Sequence, residues 1–240
     1  MSALKSRYVA VVAVAVLVLA VPLFLITTNL RIVINSGWLY SSGFDRHDVV
    51  LLTGIEKPEL MRIAREIKLY FNSSEEPLDV TAVVAGREQP LFKQREVLHM
   101  ADVKGLVRGL GLWQQVSFYY MAGFFVAGLA LWGRRGMIGR LTQGLMWGSA
   151  LTGVLFVAAG LAALVDFETA FEQFHVIGFS NDLWQLNPAT DNLIRIFPEG
   201  FFLDATLILA GLTLGQAAIT GGIAGAYRWR RRRVERGEAR

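Results

Sequence analysis

The sequence LTQGLMWGSALTGVLFVAAGLAALV, residues 141–165, contains no Asp, Glu, Lys or Arg over 25 positions. About 20 apolar residues in an α-helix cross the roughly 30 Å hydrocarbon core of a bilayer. Three further segments of this kind cover residues 8–30, 109–133 and 205–227. Because a segment in lipid must satisfy its own backbone hydrogen bonds, each is predicted to be a membrane-spanning helix. The predicted fold class is a mainly α membrane protein, a four-transmembrane-helix bundle.

Basic residues predict how these spans are oriented. Lys5 and Arg7 precede the first span, Arg134 and Arg135 begin the short connection between the second and third, and a basic tail follows at residues 228–240. Four spans place all three groups on one side, so both termini are predicted to be cytoplasmic. We expect the tail to contact the headgroups of anionic membrane lipids. No nucleic-acid partner is predicted.

The acidic residues predict what lies on the other side. Of the 20 Asp and Glu, all but Glu235 and Glu238 fall in the segments predicted to be extracytoplasmic. Residues 31–108 are predicted to form a small extracytoplasmic α(+β) cap, and residues 166–204 a long outer loop with short helices. The chain has no cysteine, which excludes disulfides, thiolate metal sites and a cysteine nucleophile.

Regular periodicity outside the spans predicts four further elements. They are helices over residues 58–71, 94–110 and 168–178, and a short strand over residues 78–85. Asn187-Pro188 resembles a helix start, with Asn as the cap and Pro in the first turn. Phe197-Pro198 is predicted to end that helix before the last span.

Two of the three histidines lie in dense polar stretches on the predicted outer side. One stretch is REVLHMADVKGL, residues 95–106, which contains His99. The other is FEQFHVIGFSNDLWQLNPATDNLIRIFPEGFF, residues 171–202, which contains His175. The third histidine, His47, has no periodic context and is predicted to be an exposed loop residue.

Carboxylates near these histidines suggest acid–base chemistry. On a helix, Glu96 and Asp102 share the face of His99, and either carboxylate can hold one imidazole nitrogen and leave the other free as a base. Glu172 has the same relation to His175. The alternative is that each histidine is an interfacial residue with helical salt links.

Other polar residues of the outer loop have weaker interpretations. The amide of Asn181 is a candidate to stabilise an oxyanion. Asp191 and Arg195 are four positions apart and are predicted to form a helical ion pair. Trp184 suits the membrane interface. A metal site, with two histidines and one carboxylate, is a further alternative, although no HExxH motif is present. Its ligands would be His99, Asp102 and His175.

The order of these parts resembles the lipoprotein intramolecular transacylases (Lit) of Gram-positive bacteria. The resemblance covers most of the chain and is most specific in residues 95–106 and 174–202. It implies transfer of the sn-2 acyl chain of a diacylglyceryl-modified lipoprotein cysteine to the α-amino group of that cysteine, which leaves a lyso-form lipoprotein. The two essential histidines of the family match His99 and His175.

The resemblance also implies partners and a location. The partners are diacylglyceryl-modified lipoproteins and membrane lipids, no cofactor or metal is needed, and the site lies on the outer face of the bacterial cell membrane. We expect His99 to be the base and His175 to act on the intermediate or the leaving oxygen, although the order is open. Their rings should lie within about 10 Å of each other. The competing hypotheses are a non-enzymatic membrane sensor or assembly protein and a lipid metallohydrolase.

Overall fold

The chain is mostly helical in the computed structural model, which describes residues 3–74, 76–84 and 87–237. The elements are α1 (Ala3–Asn35), α2 (Gly37–Arg46), α3 (Val49–Thr53), α4 (Lys57–Asn72), β1 (Thr81–Val84), β2 (Arg87–Pro90), α5 (Gln94–Val165), α6 (Phe167–Gly178), α7 (Asn192–Ile196) and α8 (Glu199–Gly237). They form two compact units. The first unit contains Met1–Leu30, Gly111–Leu161 and Leu209–Arg240, and the second contains Arg31–Leu110 and Ala162–Ile208.

Three helices of the described chain, α1, α5 and α8, are long and apolar enough to cross a membrane. In the most apolar 18-residue segment of each helix, only 28% of α1, 22% of α5 and 17% of α8 is buried within the protein. Soluble proteins rarely expose large contiguous apolar patches, so the exposed apolar surface of these helices indicates that they contact lipid. The prediction of a helical membrane protein is therefore confirmed, whereas the count of spans depends on α5.

Helix α5 is interrupted at Gly133, where φ is 62° and ψ is 173°. Only glycine adopts this backbone conformation readily. Both sides of the break contact α1, because Tyr120 Oη donates to the carbonyl of Ala13 at 2.6 Å and Gly144 packs against Leu17. Since residues 13 and 17 are one helical turn apart, the two parts of α5 lie side by side. This reversal supports two spans within α5, and a total of four stays a prediction.

A polar contact joins α1 to α8 inside the first unit. The fully buried Asn29 donates from Nδ2 to Thr213 Oγ1 at 3.1 Å and to Gln216 Oε1 at 3.0 Å. Gln216 Nε2 donates back to Asn29 Oδ1 at 3.1 Å. Interhelical hydrogen bonds of this kind hold helices together in lipid, where apolar contact gives little preference for one partner over another.

The core of the second unit includes the apolar face of α4. The predicted helix over residues 58–71 is confirmed within one residue at each end. Its buried residues are Leu60, Ile63, Ala64, Ile67 and Tyr70. The aromatic residue at the end of this face is therefore Tyr70, whereas the next residue, Phe71, is only half-buried.

Helices α2 and α3 were not predicted, and the aromatic packing of α2 explains one glycine. A Cβ at Gly43 would lie 2.5 Å from the ring of Phe201, so only glycine fits. The predicted strand is confirmed as β1, which pairs antiparallel with β2 so that Thr81 lies opposite Pro90. The end of that prediction, Ala85, lies outside the described residues.

His47 is not the exposed loop residue that the sequence predicted. Its Nε2 lies 2.9 Å from Asp204 Oδ2, and Arg46 Nη1 lies 2.8 Å from the other oxygen of the same carboxylate. The His47 side chain is only 22% exposed. The prediction was wrong because Asp204 lies 157 positions away and leaves no local pattern.

Residues 166–204, the segment predicted to be an outer loop, differ from the prediction at their second helix. Helix α7 begins at Asn192, whereas Asn187 Oδ1 accepts from the backbone of Ala189 in a turn. The predicted Asp191–Arg195 pair is wrong, because Asp191 binds Lys93 Nζ at 2.9 Å. Arg195 instead donates to the carbonyl of Leu52. The break at Phe197-Pro198 is confirmed, since α7 ends at Ile196 and α8 begins at Glu199.

Candidate active site

His99 and His175 lie together in the second unit. Their ring centroids are 6.0 Å apart with the rings inclined at 36°. His99 comes from the start of α5 and His175 from α6, and both are buried. The ring of Phe179 packs against both imidazoles, at 5.0 and 5.6 Å between centroids. The predicted convergence of the two histidines within about 10 Å is therefore confirmed.

The backbone of α6 holds the His175 ring. His175 Nδ1 lies 2.7 Å from the carbonyl oxygen of Phe171, so the Nδ1–H donates to it. Nε2 then carries the lone pair of the neutral ring. The sequence had assigned this role to Glu172, which is exposed. That assignment is wrong, because the carbonyl one turn earlier is closer to the ring than the outward-pointing carboxylate.

Aromatic rings surround His175. Phe171, Phe174 and Trp184 lie at 4.3, 5.3 and 5.1 Å from its ring centroid. Burial in this environment lowers the pKa of His175, and the hydrogen bond to the Phe171 carbonyl partly opposes that effect. An apolar environment disfavours the charged imidazolium. His175 is therefore a neutral acceptor at neutral pH.

His99 contributes a buried ring nitrogen to the site. Its Nδ1 is buried and forms no hydrogen bond within the described chain. The pKa of His99 is lowered to about 4, mainly by burial and also by the neighbouring His175, and the charge of Asp102 opposes both effects. His99 precedes the predicted span at residues 109–133. A buried polar atom without a partner costs roughly 1–3 kcal/mol, and a bound substrate can supply the missing partner.

Glu96 does not orient His99. The carboxylate of Glu96 is fully buried and accepts from the backbone N–H of Lys93 at 2.8 Å and of Leu193 at 2.6 Å. It therefore joins the start of α5 to the start of α7. Helical spacing placed Glu96 near His99 but did not indicate these two backbone donors, because every residue except proline carries a backbone N–H.

Asp102 and Asn181 form a second polar pair beside the histidines. Asn181 Nδ2 donates to Asp102 Oδ2 at 2.9 Å, and Asn181 Oδ1 accepts from the N–H of Leu183 at 3.0 Å. The Asn181 amide predicted as an oxyanion donor thus gives one of its two hydrogens to Asp102. Asp102 acts on His99 through its charge rather than through an observed hydrogen bond.

Arg95 is a residue of the site whose role the sequence did not reveal. Its Nη2 donates to the carbonyls of Asp182 at 3.3 Å and Gln185 at 2.7 Å. Those two residues flank Trp184, whose ring packs on His175. Arg95 therefore fixes the loop that covers the imidazole. Carbonyl acceptors are common to every residue, so no sequence pattern marks them.

The metal hypothesis finds no support in the geometry. Among the described residues, no three His, Asp or Glu side chains come close enough to hold a metal ion. The carboxylate of Asp102, the proposed third ligand, is instead bonded to Asn181.

The fold and the site together define an integral membrane protein with a buried pair of neutral imidazoles suited to acid–base catalysis. The model of a family described as lipoprotein intramolecular transacylase Lit matches residues 15–202. The chain belongs to this family and is an acyltransferase. The resemblance seen in the sequence is confirmed, and the hypothesis of a non-enzymatic sensor or assembly protein is not supported.

Solved structures agree with this fold. The lipoprotein intramolecular transacylase Lit from Bacillus cereus matches with a TM-score of 0.79 and 20% identity, over 95% of this chain and 99% of that one. A variant of that protein with one histidine replaced by arginine matches with a TM-score of 0.74, over 95% and 96% of the two chains. An uncharacterized protein of Aquifex aeolicus is 29% identical over 67% of this chain and 68% of its own length.

Proposed function

We propose that the enzyme transfers the sn-2 acyl chain of a diacylglyceryl-modified lipoprotein cysteine to the α-amino group of the same cysteine. The observation that carries this proposal is the pair of buried, neutral imidazoles 6.0 Å apart in a member of this family. Hydrogen bonds of 2.6–3.2 Å from each ring are long enough to reach one reacting ester between them. The products are an N-acyl lipoprotein and a free sn-2 hydroxyl on its glyceryl group.

His175 is the base in this mechanism. The amine nitrogen attacks the ester carbonyl carbon, a C–N bond forms, and the amine proton moves to Nε2 of His175. The Phe171 carbonyl keeps Nδ1 protonated, so Nε2 is the nitrogen that accepts. This reverses the order expected from the sequence, because a pKa of about 4 makes His99 a weak base.

His99 serves as a neutral hydrogen-bond donor. The negative charge that develops on the carbonyl oxygen is stabilised by the N–H of the His99 ring. A depressed pKa keeps that ring neutral at working pH. The C–O bond to the glyceryl group then breaks, and the leaving oxygen takes the proton held by His175. Donor and acceptor belong to one molecule, so proximity supplies much of the acceleration.

The surface of α6 supports access from the membrane. Beside the buried His175, this helix exposes the apolar side chains of Phe174, Val176 and Ile177, at 57, 54 and 84%. Removing a lipid chain from the membrane costs about 0.8 kcal/mol per methylene, so the substrate must reach the site without leaving the lipid. We place this surface against the outer leaflet, in a protein of four spans with both termini cytoplasmic.

The test uses the purified full chain in detergent and a synthetic diacylglyceryl lipopeptide with a free amine. Because the transfer is intramolecular, the parent mass should stay constant while fragment ions show an acylated amine and a monoacyl glyceryl group. A mixture of isotopically light and heavy lipopeptides should show no exchange of acyl chains. A free amine after incubation, or acyl chains exchanged between the two lipopeptides, would contradict the proposal.

A further inference from the structure

The first unit has a cavity of about 530 Å³ at its arginine-rich end, where α1, α8 and the middle of α5 meet. Six arginines line it, namely Arg7, Arg135, Arg140, Arg228, Arg231 and Arg232. Within the described chain the lining contains a single carboxylate, Glu235. Six positive charges against one negative charge leave an excess of five, which makes the cavity a site for an anion.

Several of these arginines are held in place by neutral groups. Arg228 Nη1 donates to the carbonyl of Gly139 at 2.7 Å, and Arg140 Nη1 donates to the carbonyl of Gly136 at 3.2 Å. The Arg140 guanidinium also stacks 4.7 Å from the ring centroid of Trp132. Carbonyls and rings position a guanidinium but carry no compensating unit charge. The cluster is therefore preorganised and still positive.

One arginine, Arg231, does have an acidic partner. Its Nε lies 2.9 Å from Glu235 Oε1, and its Nη1 donates to the carbonyl of Arg135 at 3.2 Å. This pair accounts for the one carboxylate of the lining. The bond from Arg231 to the Arg135 carbonyl joins α8 to the residues of α5 that follow Gly133, which keeps the arginines of the two helices on one cavity.

The part of the cavity wall that α1 contributes beyond Arg7 is apolar. Ala10, Val11 and Val14 of α1 line it, and α1 continues from there as an apolar helix long enough to cross a bilayer. Guanidinium groups bind phosphate oxygens in a bidentate manner. A cationic pocket beside an apolar helix surface thus suits a molecule with a phosphate at one end and acyl chains at the other.

We propose that this cavity binds the phosphate of an anionic phospholipid headgroup, with the acyl chains lying along α1. The site is separate from the histidine pair and does not depend on the proposed reaction. Its chemistry is phosphate recognition by arginine, which a lipid and free phosphate share. The apolar wall favours the lipid.

Native mass spectrometry of the detergent-purified full chain tests this proposal, with phosphatidylglycerol, phosphatidylcholine or inorganic phosphate as the added probe. The matched pair of variants is Arg232→Gln, which removes a charge from the lining, and Arg233→Gln, which removes the adjacent charge. Arg233 is outside the lining and stacks on Trp229. Arg7→Gln provides a second test from a different helix.

The unmodified chain should retain phosphatidylglycerol in preference to phosphatidylcholine, and excess inorganic phosphate should not displace it. Arg232→Gln and Arg7→Gln should each weaken retention about fivefold, the effect of roughly 1 kcal/mol per basic residue. Arg233→Gln should retain the lipid as the unmodified chain does. Equal losses for Arg232→Gln and Arg233→Gln would overturn the pocket, and displacement by inorganic phosphate would overturn the lipid assignment.

Discussion

The imidazoles of His99 and His175 are separated by 76 positions in the chain and by 6.0 Å in the structure. The two rings are held differently. Nδ1 of His175 donates to a carbonyl of its own helix, whereas Nδ1 of His99 has no partner in the described chain. This asymmetry underlies the different roles that we propose for them and the first two predictions below.

Replacing either histidine of the pair should abolish most of the acyl transfer. His99→Gln and His175→Gln should each lower the turnover rate about 10²–10⁴-fold, as expected for the loss of an acid–base group or oxyanion donor. Turnover is followed from the fragment ions of the lipopeptide.

The third histidine provides the control. His47→Gln should lower the melting temperature, because it weakens the contact with Asp204, and should change turnover less than about twofold. Near-normal turnover in both pair variants would disprove the proposed roles.

The depressed pKa of His99 predicts a pH dependence of stability. The unfolded chain binds a proton at His99 near pH 6.5, and the folded chain does so only near pH 4. The stability that the folded state gains by keeping His99 neutral is therefore fully present above pH 6.5. It is lost progressively as the pH falls from 6.5 towards 4. His99→Gln removes this contribution, so its melting temperature should fall less between pH 7 and pH 5 than that of the unmodified chain. An equal fall in both proteins would show that His99 is not neutral in the folded state at pH 5.

Glu96 should matter for folding rather than for proton transfer. Glu96→Gln keeps one carbonyl acceptor but turns an amide group towards the N–H of Lys93 or Leu193. The unsatisfied donors should lower the free energy of unfolding by about 1–3 kcal/mol. Scanning calorimetry measures this, with the exposed Glu172→Gln as the control. The turnover per folded molecule and its pH profile should not change. A shifted pH profile would show that Glu96 does interact with His99.

Arg95 should act through the loop that carries Trp184. Arg95→Ala removes both hydrogen bonds to that loop, and the ring of Trp184 should then pack less tightly on His175. We expect turnover to fall about tenfold or more, because small misplacements at an active site are costly, while the melting temperature changes little. The exposed Arg65→Ala serves as the control. If Arg95→Ala raises the substrate concentration needed for half-maximal rate and leaves turnover unchanged, the loop positions the substrate rather than His175.

Residue patterns within a short stretch of sequence correctly predicted the helices and helix ends that depend only on neighbouring residues. The face of α4 follows from apolar residues three and four positions apart, and the break before α8 follows from Pro198. The pairing of His99 with His175 came from the order of the spans and from the resemblance to a family. Spacing failed for Asp191, because helical neighbours apply only inside a helix and α7 begins one residue later.

The details of the site depended on contacts that sequence does not encode locally. The acceptor for His175 is a backbone carbonyl, and the carboxylate of Glu96 accepts from two backbone N–H groups. Every residue offers such groups, so residue type does not distinguish them. Lys93 and Asp191 are charged and visible in sequence, yet 98 positions separate them. Only the tertiary fold selects these partners.

The contact of Asn29 with Thr213 and Gln216 has a consequence for biosynthesis. It joins α1 to α8 across 184 positions of the chain, so α1 is synthesised well before α8. Until α8 enters the lipid, the amide of Asn29 lacks its partners, and an unpaired amide in hydrocarbon is unfavourable. Helix α1 therefore waits without these partners, and the arrival of α8 both supplies them and aligns the two helices along their length.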